Sequence, residues 1–161
     1  MDKEKNEIMS EMAIGSTFEI SLRIILMLNA LSPAKLDELQ IGIIDFIAVY
    51  AADFGLLDEN LHGYSNYRYG EFPARKQLIA AALKNLILDG YVQLYPTSAG
   101  YLYSILDAGR NVCNKLTSRY ANEYLLAVQS VIDKFDKVNS SAMLKEINRL
   151  TIQSLQEVRH E

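Results

Sequence analysis

At 161 residues and 18.2 kDa, half of them apolar, the chain can bury one sizeable core with a helical appendage but not two independent domains of ordinary size. A formal net charge of −4 and a sequence pI of about 5.2 exclude an overall positive field that would recruit a nucleic-acid backbone, leaving only a local basic patch open. The single cysteine, Cys113, excludes an internal disulfide framework and a cysteine-based metal cluster, and fits a reducing, cytoplasmic interior.

Residues 1–16 read as a flexible polar N-terminal arm without the basic-then-apolar order of a secretory signal. A winged-helix domain is expected over 17–110, and a C-terminal helical extension packed on it over 111–161. Ser16 or Thr17 is placed to cap a first helix whose stripe is Phe18, Leu22, Ile25 and Leu26, widened by Ile24, Met27, Leu28 and Leu31. This run is too short to span a bilayer and carries Glu19 and Arg23, so it reads as a core helix. Ser32 and Pro33 break it, and Pro33 suits the first turn of a second helix from about Ala34 to Asp53. Leu36, Leu39, Ile43, Phe46, Ile47 and Tyr50 form the main face of that helix, with Ile41, Ile44 and Val49 elsewhere, which makes it the central, most buried one.

From Phe54 to Phe72 the periodicity dissolves into a long aromatic loop, where a minimal helix-turn-helix would keep a tight turn. A third helix follows, opened by Pro73, with Leu78, Ile79, Ala82, Leu83, Leu86 and Ile87 on one face. Gly90 supplies a left-handed stop, Tyr91, Val92, Leu94 and Tyr95 a strand, Pro96 to Gly100 a turn, and Tyr101 to Ile105 the return strand. Asp107 is placed to cap a helix with a stripe through Val112, Leu116, Tyr120, Tyr124, Val128, Val131, Phe135 and Val138. Asn139 to Ser141 interrupt it. A last helix presents Leu144, Ile147, Leu150, Thr151, Leu155 and Val158, positioned to fold back on the previous one as a helical hairpin. The expected class is mainly α: a winged helix-turn-helix with a long inter-helix loop, a two-stranded β wing and a C-terminal helical pair.

The stretches F-E-I-S-L-R-I-I-L-M-L, L-D-E-L-Q-I-G-I-I-D-F-I-A-V-Y, D-F-G-L-L-D-E-N-L-H-G, E-F-P-A-R-K-Q-L and D-G-Y-V together resemble the small middle component of bacterial ABC-three-component conflict systems, the group that includes Lamassu anti-phage and anti-plasmid systems. The resemblance covers roughly Phe18 to Tyr124, and D-E-N-L-H-G with its tyrosine-rich continuation is its most specific part. It implies a winged-helix adaptor beside an ATPase similar to SMC and Rad50 proteins and beside an effector, often a nuclease, that it helps hold silent. DNA would then be reached through the complex rather than by this chain alone, with no membrane partner.

No chemistry-bearing constellation competes with that reading. Asp53-Phe54-Gly55 spells a kinase magnesium tripeptide, but no glycine-rich phosphate loop or H-R-D loop accompanies it, so it reads as a helix end. His62 and Cys113 lack an orienting partner and an oxyanion site, so Cys113 reads as core and His62 as a loop residue bonding local backbone or a partner. Asp58 and Glu59 are followed by no calcium-type ligand series, and no Walker A pattern exists. The expectation is therefore no enzyme activity, no catalytic or metal-binding residue and no cofactor. Tyr64, Tyr67, Arg68 and Tyr69 form the candidate partner-binding cluster, since tyrosine and arginine dominate interface hot spots; alternatively the rings pin the loop to the helices. Arg75, Lys76 and Lys84 are candidates for weak phosphate contacts from the outer face of the third helix. The alternative function is a winged-helix transcription regulator acting as a DNA-binding homodimer. The acidic balance, the interrupted helix-turn-helix and the uncharged P-T-S-A-G wing tip favour the adaptor.

Overall fold

The computed structural model describes residues 17–135 and 139–159, with side chains through residue 157. The expected arm over 1–16, the Ser16 cap and Val138 lie outside the described residues, as does the side chain of Val158. The chain runs α1 (Glu19–Ala30), α2 (Glu38–Val49), a 3-10 turn (Arg68–Gly70), α3 (Glu71–Ala74), α4 (Lys76–Leu88), β1 (Val92–Thr97), β2 (Gly100–Ile105), α5 (Asp107–Lys115), α6 (Arg119–Lys134) and α7 (Ser140–Arg159). This mainly helical order, closed by an antiparallel hairpin, is winged-helix-like. None of the described helices is long and apolar enough to cross a membrane.

α2 is the centre of the molecule: every residue from Ile41 to Val49 is buried. A helix apolar on all sides needs cover on all sides. α6 packs most closely on it, with α7, α1 and α4 around it, while α1 also contacts α4, α5 and α6. The buried residues of all these elements form one hydrophobic cluster.

Several local expectations are corrected. Among the described residues the first helix has no side-chain cap: Phe18 already has helical torsions, Thr17 contributes only its carbonyl, which accepts from Ser21 Oγ at 2.8 Å, and the Phe18 ring is exposed. The second helix begins at Glu38, not Ala34. Leu36 and Tyr103 exchange backbone hydrogen bonds (3.0 and 2.8 Å), which hold this segment extended beside β2 and add a bridge to the wing. Asp37 then starts the helix by accepting from Gln40 N–H at 2.7 Å while the Gln40 side chain accepts from Asp37 N–H at 2.9 Å, a capping box of the kind that stabilises a helix by about 1 kcal/mol.

At the other end of α4, Gly90 has φ +80°, Tyr91 N–H reaches Leu86 C=O (2.9 Å) and Gly90 N–H reaches Ile87 C=O (3.1 Å), a Schellman stop as expected. The wing turn is shorter than predicted. Pro96 pairs with Tyr101 and Thr97 with Gly100, which leaves Ser98 and Ala99 as the turn. Pro96 is tolerated because β1 is an edge strand. Leu106, not Asp107, flanks α5: its carbonyl accepts from Arg110 N–H (3.0 Å), and Asp107 lies in the first turn in an exposed pair with Arg110. The single helix expected from Asp107 onward is two. The backbone leaves helical torsions at Leu116, and Ser118 Oγ caps α6 by accepting from Ala121 N–H at 3.1 Å. α7 buries Met143 and Ile147, and its principal contacts are α2 and the 3-10 turn.

Candidate functional site

α2 carries one acid in its buried stretch, Asp45, and α1 one base, Arg23; both side chains are almost completely buried. Either charge alone in this core would cost several kcal/mol, so each demands the other. Arg23 meets Asp45 with both ends of its fork, Nε to Oδ1 at 2.8 Å and Nη2 to Oδ2 at 3.0 Å. Arg75, at the head of α4, adds Nη1 to Oδ2 at 3.3 Å, and the Tyr124 hydroxyl from α6 donates to Oδ1 at 2.7 Å. Burial alone would push the Asp45 carboxyl up, yet Arg23, helped by Arg75 and Tyr124, holds it below the ordinary carboxylate range. The same exchange raises the Arg23 guanidinium against the cost of its burial. Four helices are thus tied to one carboxylate.

The network continues outward in two branches. Glu19 Oε1 accepts from Arg23 Nη1 (3.2 Å) and from the Tyr120 hydroxyl (3.1 Å), whose oxygen in turn lies 2.7 Å from His62 Nε2, with the two rings stacked at 6.0 Å. Glu71 Oε2 accepts from Arg75 Nη2 (2.9 Å) and from the Tyr50 hydroxyl. Burial raises the Tyr50 phenol and pushes the Tyr120 phenol up to about 12, so both remain hydroxyl donors. Burial first, then Arg23 and Arg75, press the His62 imidazole down to about 4 against the pull of Asp45, and it is neutral near pH 7. Among the described residues no buried polar side-chain atom is left without a partner, and no group of three or more His, Cys, Asp or Glu stands ready for a metal.

The inter-helix loop is fastened to this frame. Asn60, buried, accepts from Ala52 N–H (2.8 Å) and Asp53 N–H (3.2 Å) and donates to Gly63 C=O (3.0 Å), so it closes the turn after α2. His62 N–H donates to Val49 C=O at 3.0 Å.

The four candidate partner-binding residues are distributed rather than clustered. Tyr67 is 82% exposed and Tyr64 half exposed, its hydroxyl donating to Glu59. Arg68 grips Asp53 (Nε to Oδ2 2.6 Å, Nη2 to Oδ1 3.2 Å), and Tyr69, only 8% exposed, packs against Phe46. Of the three candidate phosphate contacts, Lys76 and Lys84 are exposed on α4, whereas Arg75 turns inward onto Asp45 and Glu71, its side chain 12% exposed. Cys113 is buried, its thiol pushed up to about 11 by desolvation, and Phe54 is packed with Gly55 turning the chain behind it. Asp45, Tyr124, Glu71 and Tyr120 carry polar roles that periodicity did not assign. The available signal was a lone acid in I-G-I-I-D-F-I-A-V and a lone base in I-S-L-R-I-I-L-M-L, two charges that have no other way to be buried.

The model of the family described as ABC-three component (ABC-3C) system Middle Component 2 matches residues 13–157. No curated protein and no solved structure matches the chain. The family match spans α1 and most of α7, so it includes the buried Arg23–Asp45 pair, both of its outward branches and the loop fastened beside them. The chain therefore belongs to the ABC-three-component middle component 2 family.

Proposed function

We propose that this chain is a non-enzymatic adaptor in a bacterial anti-phage and anti-plasmid defence system of Lamassu type, bridging an SMC/Rad50-like ATPase and an effector, often a nuclease, and restraining that effector until foreign DNA is sensed. The observation that carries the reading is the family match over residues 13–157, because a middle component of a multi-component system has protein partners. The charges of the core are consistent with it. They are consumed in tying helices together, as in a rigid scaffold, and Cys113 is a buried, protonated thiol. The adaptor works in the cytoplasm, and it meets DNA through the complex.

Affinity purification of the tagged chain from cells carrying its native operon tests the proposal. The expected result is co-recovery of a long coiled-coil ATPase and the effector. Recovery of the chain only as a homodimer on specific promoter DNA would overturn it in favour of a transcription regulator.

A further inference from the structure

The inter-helix loop is anchored at both ends: Asn60 closes its start, and Arg68 clamps Asp53 at its end. Between them Leu61 packs against the core. Tyr64 bonds back to Glu59 and Asn60, and Ser65 Oγ accepts from Tyr67 N–H at 3.3 Å, so these polar groups stay within the loop. Among the described residues, the one side-chain hydrogen bond that leaves the segment Leu61 to Tyr67 for a helix is the 2.7 Å contact of His62 Nε2 with the Tyr120 hydroxyl.

One arrangement of protons satisfies that contact. The Glu19 carboxylate offers lone pairs and no proton, and its Oε1 lies 3.1 Å from the Tyr120 oxygen and 3.2 Å from Arg23 Nη1. Were Tyr120 to give its single proton to His62 instead, two oxygens with only lone pairs would face each other at 3.1 Å. Arg23 also stands beside the phenol oxygen, but a guanidinium has protons to give and none to take. Tyr120 therefore donates to Glu19, and its oxygen is left to accept from the imidazole. His62 Nε2 is 3.7 Å from Glu19 Oε1, too far for a direct bond, so its proton goes to Tyr120. With the ring neutral, Nδ1 then carries none. The chain runs one way, from His62 to Tyr120 to Glu19, where Arg23 ties it to the buried Asp45.

We propose that this one-way chain latches the inter-helix loop: His62 carries its proton on Nε2 and, by giving it to Tyr120, holds the segment that presents Tyr67 against α1 and α6. The latch is a property of the fold, and only its use, fixing Tyr67 for a protein partner, rests on the adaptor reading. Proton–nitrogen correlation spectra of the imidazoles are recorded near pH 7 on the full chain labelled with nitrogen-15, with His62→Gln telling His62 from His160. The expected result is a proton on His62 Nε2 that persists against exchange with solvent, a bare Nδ1, and loss of the persistent signal in Tyr120→Phe. A proton on Nδ1, or an Nε2 proton that persists equally without the Tyr120 hydroxyl, overturns the proposal.

Amide exchange reads the hold on the loop. In Tyr120→Phe the His62 and Gly63 amides, bonded to Val49 and Asn60, should exchange about tenfold faster, as loss of one net hydrogen bond predicts, while the amides of Ile43 to Ile47 in α2 keep their rates. No acceleration in the loop, or the same acceleration in α2, would reduce Tyr120 to a support of overall stability and sink the latch. Glu19→Gln keeps an acceptor but removes its charge, so it should accelerate the same two amides by less, and it decides the matter if Tyr120→Phe does not fold. The latch signatures without recovery of ATPase or effector would refute the adaptor and leave the latch standing. Recovery of both without those signatures would do the reverse.

Discussion

Replacing Asp45 by asparagine keeps the size of the side chain and removes the charge that Arg23 and Arg75 share. The two guanidiniums would then share a buried site without the carboxylate between them, keeping only the more exposed Glu19 and Glu71, and losing one partner of a buried pair costs about 3 to 5 kcal/mol. Against a total stability of about 5 to 15 kcal/mol, Asp45→Asn should lower the thermal midpoint by about 10 °C or more, measurable by circular dichroism. His62 makes a gentler prediction in pH. Its imidazole is held at about 4 in the fold, below the ordinary value of about 6.5 that it regains on unfolding, so between those values the unfolded state binds more protons. Its contribution is fully present above about pH 6.5 and is lost as pH falls through 4, with a ceiling of about 3 kcal/mol. Urea midpoints taken through that window should decline, and His62→Gln should flatten the decline. An unchanged slope would show that another group governs it.

At the scale of elements, α5 packs tightly at Gly109 against Tyr91 and Ile105, which flank and close the wing. A Cβ at Gly109 would stand 2.5 Å from the Tyr91 carbonyl oxygen and 2.5 Å from Ile105 Cδ1, and the first of these is backbone that cannot swing away. Gly109→Ala is therefore expected to destabilise the protein by about 2 kcal/mol, read from chemical denaturation, since overpacking of this kind typically costs 1 to 3. The inter-helix loop separates two roles that the sequence had placed side by side. Arg68 clamps Asp53, whereas Tyr67 reaches solvent. Tyr67→Ala should leave thermal unfolding unchanged and, if Tyr67 is a hot spot, weaken assembly with the ATPase or effector by about 2 kcal/mol. Arg68→Ala should lower stability as well, because it releases the loop from the end of α2. Affinity of Tyr67→Ala unchanged from the unsubstituted chain for both partners would remove Tyr67 from the interface.

For the whole molecule, the disposition of charge sets the expectation for DNA. With Arg75 turned inward, the outer face of α4 retains Lys76 and Lys84 among the three cations considered there, and the wing turn has none. A few phosphate contacts give weak binding without sequence preference, steeply reduced by salt. Fluorescence anisotropy on duplex DNA should show binding fading between low and physiological salt. Nanomolar, sequence-selective binding at physiological salt would contradict the adaptor reading. The isolated chain is likewise expected to hydrolyse neither ATP nor DNA, and turnover by a rigorously purified sample would contradict it.

The first two helices, the helix before the wing, the Gly90 stop, the hairpin and the burial of α2 were legible in the sequence, because each depends on local spacing: a 3.6-residue period, a residue able to take positive φ, an alternation over a few positions. Helix starts were less legible. Pro33 and Asp107 are both good local signals, and each lost to a backbone partner brought from elsewhere, Tyr103 for Leu36 and Tyr91 for Leu106. The charged centre was the least legible part, since Arg23 and Asp45 lie 22 positions apart and Tyr124 lies 79 from Asp45. Apolar periodicity tells which face of a helix is buried, but it cannot tell which buried charge meets which. The sequence by itself determined that these helices would form and that Arg23 and Asp45 would sit among apolar residues. Only the tertiary structure decided that they satisfy each other, that Arg75 turns inward to join them, and that Glu19 and Glu71 carry the network outward to Tyr120 and Tyr50, because desolvation cost and hydrogen-bond geometry act between elements that no local pattern connects.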